Sequence, residues 1–146
     1  MATAQPERDL TSTLHLGLRQ VVENSPQLRL SKNLELLSDD DKKTLDALAP
    51  KTAMLIVHRG SGKGSRFLIA NGGSIGRSND SDVFLDDVTV SRQHARISLV
   101  EGVYFLDDAG SLNGTYVNNL SVTHSPLTTG DEIQIGKFHM LYFGGK

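Results

Sequence analysis

At 146 residues the chain is long enough for one ordinary domain with an appended segment, and too short for two full cores. Its formal charge of −2, with 15 basic against 17 acidic side chains and no long Lys/Arg run, leaves no broad cationic surface for nucleic acid. The absence of cysteine excludes a disulfide framework, a thiolate nucleophile and a Cys-based zinc site. No run approaches the ~18 apolar residues of a membrane span, and the start lacks an apolar export segment, so the reading is a cytoplasmic chain with no membrane partner.

Charge and pattern divide the chain near Pro50. Residues 1–50 hold six basic and eight acidic side chains, and residues 51–146 hold nine of each. The domains are read as a regulatory tail over 1–50 and a folded domain over 51–146. The first ~10 residues are polar and unpatterned, the composition of a disordered segment. Thr11–Glu23 is expected as a helix closed by Asn24-Ser25-Pro26, because a residue before proline is pushed out of the α region. Ser38 is a suitable N-cap for a second helix, Asp39–Leu48, whose three aspartates complement the helix dipole. Leucines are scattered from Leu14 to Leu48, but neither piece has the apolar surface to fold alone. Each is therefore disordered or docked, and residues 20–50 read equally well as a solvated spacer.

After Pro50 the period changes to alternation. Ala53–His58, Ser65–Ile69, Val83–Leu85, Ala95–Leu99, Val103–Leu106, Thr115–Val117, Glu132–Ile135 and Phe138–Phe143 read as short strands. Gly-rich and Asn-Gly segments separate them, namely Arg59–Gly64, Asn71-Gly72-Gly73, Glu101-Gly102, Asn113-Gly114 and Gly130-Asp131. Many short strands without an interleaved helical pattern indicate an all-β fold, an antiparallel β-sandwich whose functional loops lie at its ends.

Four features fall in those loops: Gly76-Arg77, Ser91-Arg92-Gln93-His94, Ser111-Leu112-Asn113-Gly114-Thr115, and Gly130-Asp131 with Ile133-Gln134-Ile135-Gly136. Each is weak alone; their joint order and spacing is the signal. A phosphate needs donors on a rigid scaffold, and the planar fork of Arg77 can meet two of its oxygens. Ser91 adds a short hydroxyl donor and Arg92 a second cation. Three charge-assisted bonds at ~1.5–3 kcal/mol each make a site that requires the phosphate. Asn113 can both donate to and accept from an extended peptide backbone, which an ionised aspartate cannot.

Over about two-thirds of its length the chain resembles the forkhead-associated (FHA) family. That resemblance implies a sandwich of about 11 short strands and the binding of phosphothreonine. Arg77, Ser91, Arg92, Ser111 and Asn113 match the ligand-contacting positions, and Gly76, His94 and Gly114 match structural support of the site. The stretches Ser81–Arg92, Ser111–Asn118 and Gly130–Phe138 are similar to one subgroup, the actinobacterial metabolic regulators GarA and OdhI. The subgroup implies as partners a Ser/Thr protein kinase, enzymes of 2-oxoglutarate dehydrogenase or glutamate metabolism, and the protein's own phosphorylated tail. In Asp9-Leu10-Thr11-Ser12-Thr13-Leu14-His15, Thr11 is favoured as the phosphorylated residue and Thr13 comes second. A flexible connection of about 40 residues spans ~35 Å, enough to reach the sandwich loops, and tethering gives millimolar-scale effective concentration.

Three rival readings are weighed against this one. A simple phosphopeptide-recruiting adaptor would need no tail switch. Gly60–Ser65 suggests a phosphate-binding P-loop, but Gly64 follows Lys63 where Ser or Thr belongs, and no helix follows. Ser91, His94 and Asp107 are the ingredients of a hydrolytic triad without a nucleophile elbow. The expected protein is therefore not an enzyme and uses no cofactor and no metal.

Overall fold

The computed structural model describes residues 25–60 and 62–145; the expected helix Thr11–Glu23 and both candidate threonines, Thr11 and Thr13, lie outside them. Two short helices, α1 (Pro26–Leu34) and α2 (Asp39–Asp46), precede the strands. The strands are β1 (Thr52–Arg59), β2 (Arg66–Ala70), β3 (Gly72–Gly76), β4 (Val83–Phe84), β5 (Ala95–Val100) and β6 (Val103–Asp108). They continue with β7 (Thr115–Val117), β8 (Leu120–Val122), β9 (His124–Pro126), β10 (Glu132–Ile135) and β11 (Phe138–Gly144). A six-stranded sheet, ordered β2-β1-β11-β10-β7-β8, faces a five-stranded sheet, ordered β4-β3-β5-β6-β9. The fold is the expected β-sandwich, antiparallel apart from the parallel pair β3 and β4.

Three strands escaped the sequence pattern. Asn71-Gly72-Gly73 reads as a turn, yet Gly72 opens β3. A Cβ there would stand 2.6 Å from the carbonyl oxygen of Ile97, so glycine is what lets β3 approach β5. β8 and β9 have three residues each, too few to show alternation, and β9 places Pro126 on the outer edge of its sheet, where no ladder donor is needed.

Between the sheets lies a core built by alternate residues, including Leu55, Val57, Ile75, Ile97, Leu106, Ile133, Ile135 and Met140. β1 and β11 depart from simple alternation because both of their faces are buried. Met54 and Ile56 on β1, with Leu141 and Phe143 on β11, point away from the sandwich core and form a second cluster with Leu37. Leu30, Leu34, Leu45 and Leu48 pack against that cluster. Of the two fates open to the leucine-bearing segment, docking is the one observed.

Local chemistry explains the two helices. Pro26, read as closing an upstream helix that lies outside the described residues, occupies the first turn of α1, with Ser25 as N-cap accepting a bond from the Leu28 amide at 3.2 Å. Ser38 caps α2 as expected, accepting from the Asp41 amide at 3.1 Å while the Asp41 carboxylate accepts from the Ser38 amide. Polar contacts pin both to the sandwich. Asn33 Nδ2 donates to the Gly130 carbonyl at 2.6 Å, and Arg66 donates to Thr44 Oγ1 at 2.8 Å.

Leu37 is the one residue of this segment classed as buried, at 7% exposure, so its removal should uncouple the helices. Leu37→Ala is expected to cost about 2–4 kcal/mol in chemical denaturation. Amide resonances of α1 and α2 should broaden or shift, while those of residues 76–94 keep their parent positions.

Candidate functional site

At one end of the sandwich, four connections converge: those after β3, β4 and β6, and the β10–β11 turn. The first contact needs glycine. A Cβ on Gly76 would stand 2.1 Å from the Arg92 carbonyl oxygen, so the end of β3 can cross the Ser91-Arg92 backbone only without a side chain. The crossing is sewn by Arg77 N–H donating to the Ser91 carbonyl at 3.0 Å and Ser78 N–H to the Arg92 carbonyl at 3.2 Å. Arg77 Nε donates to the Val90 carbonyl at 3.0 Å, which aims the guanidinium and leaves its terminal amino groups for another partner.

His94 joins the loops. It is fully buried, and its Nδ1 accepts the Ser91 N–H at 3.0 Å while Nε2 donates to the Gly114 carbonyl at 2.8 Å. Because Nδ1 faces a backbone donor, the proton resides on Nε2 and the ring is neutral. One imidazole thereby fixes Ser91 against the turn that carries Asn113. Ser91 Oγ accepts the Leu112 N–H at 3.0 Å, a second tie between these loops, and its own hydroxyl proton remains for a ligand. Asn113 Nδ2 donates to the Thr89 carbonyl at 2.9 Å.

Ser111 does a different job from the other four. Its hydroxyl donates to Asp108 Oδ1 and accepts the Gly114 N–H at 3.0 Å, so it braces the turn from within. Asp108 also accepts from Thr115 Oγ1 at 2.7 Å and from the Ser111 and Gly110 amides at 3.1 and 3.0 Å. Burial pushes the Asp108 carboxyl up, but the bonds from Ser111, Thr115 and Gly110 outweigh it and hold the group below its ordinary value.

Two arginines at this end stand apart from acidic groups. Among the described residues, neither Arg77 nor Arg92 has a carboxylate within 4.0 Å. Asp80 and Asp82, on the loop that follows Arg77, do not pair with it: Asp82 accepts from the Ser74 N–H at 2.9 Å. Arg92 is exposed, and Val88 and Leu112 stand on the flanking loops at 89% exposure each. A dianion and an apolar group can be met together here.

The hydrolytic alternative fails on geometry. His94 Nδ1 bonds the Ser91 amide rather than its hydroxyl, and Asp107 pairs with His124. Gly60–Ser65 connects β1 to β2, with Gly64 N–H donating to the Val57 carbonyl at 2.7 Å, and opens no helix. Sequence reasoning missed Asp108, although Asp108-Ala109-Gly110-Ser111 carries the Asp and Gly of a side-chain-capped turn. It also missed Asp87 and Thr89, two residues apart in one loop, and Lys137, which the β10–β11 turn brings to them.

The FHA domain family model matches residues 73–136, the span from β3 to the turn after β10. The oxoglutarate dehydrogenase inhibitor of Corynebacterium glutamicum is 38% identical over 144 residues, covering 98% of this chain and 94% of that protein. The chain belongs to the FHA-domain family. The glycogen accumulation regulator GarA of Mycobacterium tuberculosis is 50% identical over 102 residues, 69% of this chain, and the chain spans 63% of that relative's length. A structure solved in a study of phosphothreonine-dependent FHA domain interactions superposes with a TM-score of 0.60 at 31% identity, covering 65% of this chain and 98% of that one. By name these two relatives are a regulator and an inhibitor. No described helix is long and apolar enough to cross a membrane.

His94→Ala removes the partner of two buried backbone groups. It should cost about 2–4 kcal/mol and raise amide exchange at Ser91 and Gly114 above that of the sheets. A carboxyl whose folded pKa is depressed stabilises above its unfolded value of ~3.9 and loses that contribution as pH falls through the folded one. Loop protection should therefore hold from pH 7 to about 4 and decline below, and Asp108→Asn should flatten part of that decline in a thermal melt series.

Proposed function

We propose that the loop end binds phosphothreonine within an extended peptide segment. Arg77 and Ser91 meet the phosphate, Arg92 adds a second cation, and Asn113 holds the peptide backbone, while Ser111, His94, Gly76 and Gly114 keep the loops in register. The observation that carries this reading is a pair of arginines that, among the described residues, lack carboxylate partners and stand beside a braced serine hydroxyl. Such a site is a poor match for an unphosphorylated threonine, because the cations then lack a counter-charge.

The same pocket is proposed to act as a switch. A Ser/Thr kinase phosphorylates Thr11 or Thr13, and the modified tail occupies the chain's own site, displacing partner proteins. Support comes from tether length. With Ser25 anchored at α1, Thr11 is 14 residues from a fixed point, and a fully extended chain of that length reaches at most ~50 Å. That is a much shorter leash than about 40 residues, so the effective concentration of the tail at the pocket is higher. The displaced partners are proposed to be enzymes of the 2-oxoglutarate dehydrogenase or glutamate class, encountered in the cytoplasm. The name of one relative, an oxoglutarate dehydrogenase inhibitor, supports the first of these classes.

Three measurements decide. Arg77→Ala should weaken binding of a phosphothreonine peptide about 30–100-fold in calorimetry without lowering the melting temperature by more than a few degrees. Kinase treatment should shift resonances of residues 77–94 and 111–114 in the parent chain, and the variant lacking the modified threonine, Thr11→Ala or Thr13→Ala, should abolish the shift. If residues 1–20 can be deleted after kinase treatment with no gain in affinity for peptides in trans, the switch is wrong and a recruiting adaptor remains.

A further inference from the structure

Gly136 and Lys137 form the turn joining β10 to β11, and that turn grips the loop leading to Ser91. Lys137 N–H donates to Thr89 Oγ1 at 3.0 Å, and Lys137 Nζ lies 2.8 Å from Asp87 Oδ1. Asp87 Oδ2 in turn accepts both the hydroxyl and the amide of Thr89, the latter at 2.9 Å. A Cβ on Gly136, whose φ is +57°, would stand 2.4 Å from Thr89 Oγ1 and 2.9 Å from its carbonyl oxygen. The threonine is therefore held from its hydroxyl, its amide and its carbonyl side at once.

Two consecutive carbonyls leave this locked segment, and each receives a side chain of the site. The Thr89 carbonyl accepts Asn113 Nδ2 at 2.9 Å, and the Val90 carbonyl accepts Arg77 Nε at 3.0 Å. Asn113 is exposed, so without the first bond its amide could rotate away. With that bond made, Oδ1 and the second Nδ2 proton face outward as one acceptor and one donor, the pair an extended peptide requires. The threonine hydroxyl has to donate and accept simultaneously, which serine can do and valine cannot.

We propose that Asp87, Thr89 and Lys137 are positioning residues that preset the Asn113 amide for the peptide backbone. This inference rests on the peptide-binding reading above. Preorganisation of this kind lowers the ordering cost of binding and slows dissociation. The Lys137 bond, and then the Thr89 bonds, bring the Asp87 carboxyl down to about 2, so the lock stays charged throughout the neutral range.

The test uses the full chain and two synthetic peptides spanning residues 5–18, phosphorylated at Thr11 or at Thr13. Thr89→Val should weaken the better peptide about tenfold, chiefly through faster dissociation, and should move the Asn113 side-chain amide resonances of the free protein. Thr89→Ser should return both to within about twofold of the parent. In an Asn113→Ala background, Thr89→Val should bring no further loss. Binding of Thr89→Val within about twofold of the parent, or a loss that persists without Asn113, overturns the proposal. If neither peptide binds the parent chain, the tail-switch reading fails by itself. The lock is then judged by the Asn113 resonances: unmoved in Thr89→Val, they refute it; moved there and restored in Thr89→Ser, they uphold it.

Discussion

The site depends on a buried imidazole whose two nitrogens are both engaged. His94 sits at zero exposure, where an unpaired ring nitrogen would carry the full desolvation penalty of a lost hydrogen bond. Its partners are backbone groups of two different loops, the Ser91 amide and the Gly114 carbonyl. Each satisfied nitrogen therefore also fixes a loop position. Loops at the end of a sandwich have no ladder bonds of their own, so side-chain to backbone bonds must do the ordering. His94, Asp108, Ser111 and Thr89 supply those bonds, and Arg77, Ser91, Arg92 and Asn113 are left to face outward.

The six-stranded sheet shows how the rest of the chain is recruited. One face of an antiparallel sheet ordinarily looks onto water, yet Met54, Ile56, Leu141 and Phe143 make that face apolar on β1 and β11. Helices α1 and α2, too short and too poor in apolar surface to persist alone, gain stability by covering it. Farther along the same face the residues turn polar, with His58, Glu132 and His139 in mutual contact. Residues 25–50 thus lie against the sandwich through Leu30, Leu34, Leu37, Leu45 and Leu48.

Much of this was legible in advance, for reasons that differ by element. Strands β5, β10 and β11 alternate or run apolar over enough residues to declare themselves, and Ser38 with its three aspartates declares α2. Ser91 and Asn113 fall in loops bounded by strands that the pattern showed, so their loop placement could be read from spacing. What stayed hidden was non-local. Gly72 reads as a turn because its reason for being glycine, the Ile97 carbonyl, lies on another strand. Pro26 reads as a stop because proline suits both the end of one helix and the first turn of the next. The apolar residues of β1 on its outer face were visible as an unbroken run from Ala53 to Val57. That run is the pattern of a strand covered on both sides, and the alternation reading passed over it.

The strand order places a demand on synthesis. β1 is paired on one side with β11, the last strand made, and Asn33 of α1 bonds the carbonyl of Gly130, 97 residues downstream. The central seam of the larger sheet therefore cannot zip until β11 has emerged from the ribosome. Nascent β1 can pair with β2 at once, but its other edge and its apolar outer face stay uncovered until then. A topology so rich in distant partners folds slowly, and its exposure to aggregation is greatest before β11 pairs.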